Sequence, residues 1–305
     1  MCLGTPVFQN IRLPVGQEAQ RLFHGRGHAW PGFEHVSIDW YNTLALVTLF
    51  RESPQEWLGE LCQWLQAEAG AGSVVVQYRC RPGAPFETLA GECPDFMAIE
   101  EAGLKYGLYL NRSQNTGLFL DMANGRRWVQ AHASGRRVLN LFAYTCAFSV
   151  AAIAGGASKV VNVDMSRAAL SNGRENHRLN GHDLAKVAFE GVDIFRSFGR
   201  LKKHGPYELL ISDPPSFQKG SVDIRKDYAK LLRRIPELVV PGGDLLLCLN
   251  APELDEHFLQ QQVAEFAPDC VLVERIHAPE VFIEAQAGKG LKVFHYRYQP
   301  EAGDQ

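Results

Sequence analysis

Three carboxylates, a proline pair and an aromatic residue stand where this chain ends apolar runs. In LLISDPPSFQKGS (209–221) an apolar stretch stops on Asp213-Pro214-Pro215, with Phe217 close behind. Proline withholds an N–H and pushes the preceding residue towards extended geometry, so one reading is an ordinary strand-ending turn. The other is a rigid ledge that presents a carboxylate, fixed carbonyls and a ring face to a planar substrate such as a nucleobase. Asp164 ends KVVNVD, where an acidic residue accepts the two hydroxyls of a ribose, and Asp193 ends KVAFEGVD, facing an adenine amine. Each is also readable as a solvated strand end or helix cap. In register with the preceding loop, FAYTCAF (142–148), the pair indicates a ligand containing adenosine. That loop has neither the GxGxxG of a dinucleotide site nor the Gly-rich, Lys-bearing run of a P-loop. Without a cradle for a diphosphate, S-adenosylmethionine is favoured over NAD or ATP.

The elements that position these groups alternate. VLNLF (138–142), KVVNVD (159–164), KVAFEGVD, YELLISD and DLLLCLN are separated by helical material, one helix starting at Ser166 as N-cap and ending at Gly181. Apolar strands divided by helices predict a doubly wound parallel sheet, with ligands at the carboxyl ends of the strands where strand order reverses. The residues there are Asn140 to Tyr144, Asp164, Asp193, Asp213 and Asn250. The first third has a different texture: HVSIDW, TLALVTLF and SVVVQYR read as strands around a helical PQEWLGELCQWLQAEAG. The expected division is a small α+β unit over 1–104 and an α/β domain over 105–305.

A chain of 305 residues with 46% hydrophobic content is long enough for about two domains. Lys and Arg number 31 against 34 Asp and Glu, so a polyanionic partner would need a local basic face. Seven scattered cysteines without a CxxC pair argue against a zinc ribbon or disulfide framework and suit a reducing cytoplasm. There is no signal-peptide pattern at the N-terminus and no apolar run of membrane-spanning length, so a cytoplasmic location without membrane association is expected. His24 and His28 have the spacing of a metal pair, but Gly25 and Gly27 oppose a helix and no third ligand is evident, so no metal is expected. Arg225, Lys226, Lys230, Arg233 and Arg234 form a basic cluster, either a solvated helix face or phosphate contacts.

The motifs LNLFAYTCAFSVAA, VVNVDMSRAAL, ENHRLNG, ISDPPSF and VPGGDLLL resemble, in order, those of class I S-adenosylmethionine-dependent methyltransferases. More closely they resemble the 23S ribosomal RNA large-subunit methyltransferase family, with its cytosine-C5 enzyme and guanine-N7 module. GLKYGLYLNRSQNTGLFLD (103–121) resembles that family's lead-in, and RLFHGRGHAWPGF (21–33) the opening of its RNA-facing subdomain; the likeness runs over roughly 20–299. It implies a Rossmann-like doubly wound methyltransferase sheet preceded by a smaller α+β subdomain, S-adenosyl-L-methionine as cofactor, and RNA, ribosomal in kind, as substrate. The implied cofactor residues are Phe119, Asp121, Asn140, Phe142, Tyr144, Cys146, Asp164, Met165, Asp193, Ile194 and Asp213. The implied base-holding residues are Asp213, Pro214, Pro215 and Phe217. A homodimer is carried as the expected assembly.

Three departures bear on what carries over. Cys146 replaces a family glycine, Ala123 stands where the family has an arginine whose second copy is Arg126, and the 20 or so residues before RLFHG are too few for the larger relatives' extra RNA-binding module. The C5 members add a cysteine thiolate to the ring; aligned from Pro241-Gly242-Gly243 that position is Asn250, as in the guanine-N7 module, with Cys248 two residues earlier. The expectation is methyl transfer to a base nitrogen without a covalent cysteine intermediate. The competing expectations are a cytosine-C5 enzyme, a methyltransferase of a protein or small molecule, and a noncatalytic cofactor-binding or RNA-binding module.

Overall fold

The computed structural model describes residues 7–111, 114–215, 217–218 and 222–301, with backbone alone at 217, 218 and 222. The chain forms two compact units, one ending at Asp121 and joined by Pro279–Ala287, the other comprising Met122–Ala278 and the segment from Gly288 onward. No helix among the described residues is long and apolar enough to cross a membrane.

Unit 1 is built on a five-stranded sheet whose strands lie in chain order: β1 (Gln20–His24), β2 (Val36–Tyr41), β3 (Leu44–Leu49), β4 (Ser73–Tyr78) and β5 (Phe86–Ala90). Only β3 and β4 run parallel, because α1 (Gln55–Ala67) carries the chain back between them. Trp57, Leu58, Leu61 and Leu65 of α1 recur on one helical face and are buried in one core with Ile38, Val47, Val74 and Val76. A separate hairpin pairs β6 (Phe96–Glu101) with β7 (Leu104–Tyr109) through Ala102 and Gly103, both at positive φ. The expected boundary at 104 would cut this hairpin, so the division falls instead at Asp121. Pro279–Ala287 is held to unit 1 by Ala285 N–H donating to Gly27 O at 2.7 Å. A side chain at Gly27 would overlap the Ile283 carbonyl, which is why glycine stands there.

Unit 2 opens with α2 (Ala123–His132) and follows with β8 (Arg137–Leu141), α3 (Ala147–Ala154), β9 (Lys159–Val163), α4 (Arg167–Leu179), β10 (Val187–Glu190), α5 (Phe198–His204) and β11 (Tyr207–Ser212). After a short hairpin, β12 (Phe217–Gln218) with β13 (Val222–Asp223), come α6 (Ile224–Leu232), α7 (Ile235–Leu238), β14 (Val239–Leu249), α8 (Glu256–Phe266), β15 (Cys270–Ile276) and β16 (Lys292–Tyr298). The sheet order is β10-β9-β8-β11-β14-β16-β15. The first five strands are parallel, and β16 joins antiparallel to both β14 and β15. Successive side chains feed opposite faces: Leu139, Leu141, Val161, Leu210, Leu245 and Leu247 enter one core, Val138, Val160, Leu209, Ile211, Leu246 and Cys248 the other. The strand order reverses between β8 and β11, where a doubly wound sheet opens its ligand crevice. α4 begins as its sequence predicts, Ser166 Oγ accepting from Ala169 N–H at 3.2 Å, and Gly181 follows its end at φ +65°.

One polar line crosses the second core. In the parallel register Asn140 lies beside Asn162, and its Nδ2 donates to Asn162 Oδ1 at 2.8 Å. Asn162 Nδ2 then donates to Ser149 Oγ at 2.9 Å, Ser149 lies 2.9 Å from His177 Nε2, and His177 Nδ1 lies 3.0 Å from His182 Nδ1. Burial, with His182 and Arg174 beside it, holds the His177 pKa down at about 3. Burial does the same to His24 in unit 1, helped by Arg21 and Arg26, again to about 3. Between pH 6.5 and 3 the unfolded chain therefore takes up protons that the folded chain refuses. Stability is complete above pH 6.5 and declines as pH falls, by about 1 kcal/mol per pH unit for each imidazole. Urea unfolding at pH 7.5, 6.0 and 5.0 is expected to show this fall, and His177→Gln to flatten it for unit 2; equal stability at pH 7.5 and 5.0 would contradict the assignment.

Candidate functional site

The carboxyl ends of the five parallel strands bring five polar stations to one edge of unit 2: the loop after β8, Asp164 after β9, Asp193 after β10, Asp213 after β11 and Asn250 after β14. The loop after β8 is the most constrained. Phe142, Tyr144 and Cys146 all adopt left-handed backbone, at φ +57°, +46° and +60°. Each such residue costs on the order of 1–2 kcal/mol for a side chain other than glycine, and persists only where its surroundings over-determine it. Here they do. Tyr144 N–H donates to Asp164 Oδ2 at 2.8 Å, Ala143 N–H to Val163 O at 3.0 Å and Cys146 N–H to Ala143 O at 2.7 Å.

Asp164 also takes Ser166 N–H on its other oxygen, Oδ1, at 2.7 Å. One carboxylate thus fixes both the first loop and the approach to α4. Each carboxylate oxygen has a further acceptor direction, which suits the two hydroxyls of a ribose, and Asp164 is only half-buried. Tyr144 is half-buried beside it, and burial together with the Asp164 charge pushes its phenol up to about 12, so it stays a protonated donor at neutral pH. Met165 is exposed at the same rim.

The remaining stations divide. Asp193 caps the short turn after β10, its Oδ1 accepting from Phe195 N–H at 2.9 Å, with Arg196 Nε 3.5 Å from Oδ2. Ile194 is buried in the core, and the Phe195 ring lies 6.2 Å from that of Phe142. Asn140 is 1% exposed and its amide is committed to Asn162 inside the sheet, so only its backbone faces the strand end. Phe119 and Asp121 belong to unit 1; Phe119 is exposed, and Asp121 acts on the charge of Arg21. Ala123 and Arg126 are both buried on α2.

Asp213 is half-buried, Pro214 buried and Pro215 exposed. Pro215 forms a parallel bridge with Asn250, so the proline ledge closes on the end of β14. Tyr228 of α6 supports that end from within, its hydroxyl donating to Cys248 O at 3.1 Å. Phe217 pairs by backbone with Asp223; its side chain lies outside the described residues, as do 216 and 219–221. The thiols of unit 2, Cys146, Cys248 and Cys270, are all buried. Cys146 is fully enclosed, and burial followed by the Asp164 charge raises its thiol well above the usual range.

Two further sequence features resolve plainly. His24 lies 2.8 Å from an Arg21 guanidinium nitrogen and 3.4 Å from Glu284, and no group of metal ligands occurs among the described residues. In the basic cluster Lys226 meets Asp223, Lys230 Asp227, Arg234 Glu237 and Arg225 Glu253, while Arg233 lies over the Phe266 ring. That face is neutralised and solvated rather than a bare phosphate clamp. Sequence reading passed over Arg167 and Arg174, although their seven-residue spacing places both on one face of α4.

Cys146 and Gly173 form an interlocking pair. A Cβ on Gly173 would overlap both Cβ and Sγ of Cys146. Gly173→Ala is therefore expected to destabilise unit 2 by about 1–3 kcal/mol through overpacking. Cys146→Gly in the same chain removes the obstructing thiol and the left-handed strain together, and is expected to recover most of that loss. A double-mutant cycle by chemical unfolding measures the coupling; additive effects would show the two positions to be independent.

Comparison with known proteins adds the following. Residues 20–297 match the family model described as S-adenosylmethionine-dependent methyltransferase. A Photobacterium profundum protein named ribosomal RNA large subunit methyltransferase I is 31% identical over 265 residues, 83% of this chain and 66% of that relative. Its namesake in Aeromonas salmonicida is 33% identical over 184 residues, 59% of this chain and 46% of the relative. The chain therefore spans less than two thirds of the length of either. A crystal structure described as a methyltransferase complexed with SAH superposes with TM-score 0.82 at 28% identity, covering 92% of this chain and 75% of that one. The likeness to ribosomal RNA large-subunit methyltransferases holds at that level. Neither relative is named as a guanine-N7 enzyme, and neither name speaks to a homodimer.

Proposed function

Because the chain belongs to the S-adenosylmethionine-dependent methyltransferase family, we propose that it methylates a base nitrogen in RNA, ribosomal in kind, without a covalent adduct between enzyme and base. The end of β14 carries the reading. Asn250 stands against the Asp213-Pro214-Pro215 ledge, while Cys248, the one thiol on that strand, is 0% exposed in the core. A pyrimidine carbon needs a thiolate added to the ring before it can attack a methyl group; a ring nitrogen or exocyclic amine brings its own lone pair. A site with every nearby thiol buried favours the second kind of nucleophile. The names of the relatives from Photobacterium profundum and Aeromonas salmonicida support ribosomal RNA as the substrate, and a cytoplasmic place of work belongs to the same reading.

S-adenosylmethionine, when bound, supplies an electrophilic methyl group on a sulfonium. The protein's part is alignment. Asp164, which holds two backbone loops, would accept the ribose hydroxyls, with the Tyr144 to Cys146 turn as the wall beside it. Asp193, Met165 and Ile194 would frame the adenine end. On the substrate side Asp213 accepts an N–H of the target base, orienting the attacking nitrogen, and Pro214 and Pro215 fix the carbonyls around it. Phe217 is proposed to stack on a base taken out of its helix.

Transfer of labelled methyl from S-adenosylmethionine into ribosomal RNA from cells lacking the protein tests this directly. Cys248→Ala is expected to retain activity within a few-fold, and Asp213→Asn to lose ~10²-fold or more in kcat. RNA carrying 5-fluorocytidine is expected to give no complex that survives denaturation. Loss of all turnover in Cys248→Ala, with fold and cofactor affinity intact, would assign the cytosine-C5 reaction instead. Label confined to protein or small molecules would remove RNA as the substrate.

A further inference from the structure

We propose that a groove at the outer edge of the unit 2 sheet docks the substrate RNA by its phosphodiester backbone; the inference rests on the RNA reading above and names a site for it. The groove, about 390 Å³, lies between one face of α4 and the end of the edge strand β10. Arg167, Ser171 and Arg174 line one wall at helical spacing, Phe189 and Glu190 the other, and Arg200 of α5 closes it. Its single carboxylate is already occupied: Glu190 Oε2 accepts from Arg200 at 2.6 Å and Oε1 lies 2.9 Å from His204 Nε2. Among the described residues neither Arg167 nor Arg174 has a carboxylate within ion-pair range, in contrast to the lysines and arginines of α6 and the turn that follows it. The groove therefore presents a net positive charge inside a chain whose formal charge is −3.

Seven residues of helix set the two arginines about 10 Å apart along the axis, a spacing over which they can take successive phosphates of one strand. Arg174 lies over the Phe189 ring at 4.3 Å, so the ring face on that side is taken by a cation rather than open to a base. What remains open is guanidinium and hydroxyl, which recognise phosphate oxygens without reading sequence. Gly191 contributes by its lack of a side chain: a Cβ there would come 2.9 Å from Arg167 Cγ, so the backbone lies against the arginine stem and orients it. Arg167 follows the N-cap Ser166 and Val192 precedes Asp193, so the groove borders the strand ends that carry the cofactor stations.

Fluorescence anisotropy with a fluorescein-labelled single-stranded RNA of 20 nucleotides, titrated at several salt concentrations, tests the site. For Arg167→Gln/Arg174→Gln, binding is expected to weaken about tenfold, and the slope of log K against log salt to become shallower by about 1.4, two phosphates at ~0.7 each. Arg167→Lys/Arg174→Lys keeps the charges and is expected to restore most of both. Calorimetric affinity for S-adenosylmethionine and the melting temperature are expected to match wild type. If wild type binds the RNA and the glutamine variant binds it with the same affinity and slope, the groove is not the docking site and the RNA reading stands. A loss that lysine does not repair also overturns it. If wild type binds no RNA, the RNA reading itself falls, and the groove proposal with it.

Discussion

The carboxylate of Asp164 is the joint on which the edge of unit 2 depends. It holds Tyr144 N–H with one oxygen and Ser166 N–H with the other, so the loop leaving β8 and the entry to α4 are referred to one rigid group. Without that anchor, three left-handed residues within five positions would have little reason to persist. An oxygen acceptor shared between two loops also explains why backbone strain and a half-buried carboxylate coincide at this rim. The contact that orients Asp164 also helps to keep Tyr144 in a sparsely populated backbone conformation, alongside the Ala143 and Cys146 N–H bonds of the same loop.

Much of this was legible in the sequence, because the signals were local. The alternation of VLNLF, KVVNVD, YELLISD and DLLLCLN with helical segments led to a parallel sheet, and all four became neighbouring strands of it. Ser166 and Gly181 announced the ends of α4 through cap chemistry that needs no distant partner. The misplaced boundary at 104 has an equally local cause. Ala102 and Gly103 form the tight turn of a hairpin, and a glycine in a polar stretch reads the same whether it links two domains or two strands.

Other features depend on register, which the sequence does not display. Asn140 looked like a residue at the mouth of a site, yet the parallel pairing of β8 with β9 sets it beside Asn162 and spends its amide inside the sheet. The basic cluster after β13 reads equally as a solvated helix face or as phosphate contacts, and Asp223, Asp227, Glu237 and Glu253 beside its cations favour the solvated face. Arg167 and Arg174 drew no notice in a chain of near-neutral balance, and it is the absence of such neighbours that sets them apart. Charge counts along a sequence measure supply; only the fold shows which charges remain uncompensated.

The segment Pro279–Ala287 has a consequence for synthesis. It belongs to unit 1, where Ile283 and Ala285 pack against Gly27, yet it is encoded after the whole of Met122–Ala278. At ~5–20 residues per second, translation of that stretch takes on the order of ten to thirty seconds, long enough for the strands of unit 1 to pair before its last segment is made. On the ribosome, then, the amino-terminal unit stays incomplete until nearly the entire chain has emerged, and its last piece arrives from a unit that has already begun to fold. The two units are thereby tied into one assembly sequence, in which the first to be begun is completed only just before the second, whose strand β16 is made last.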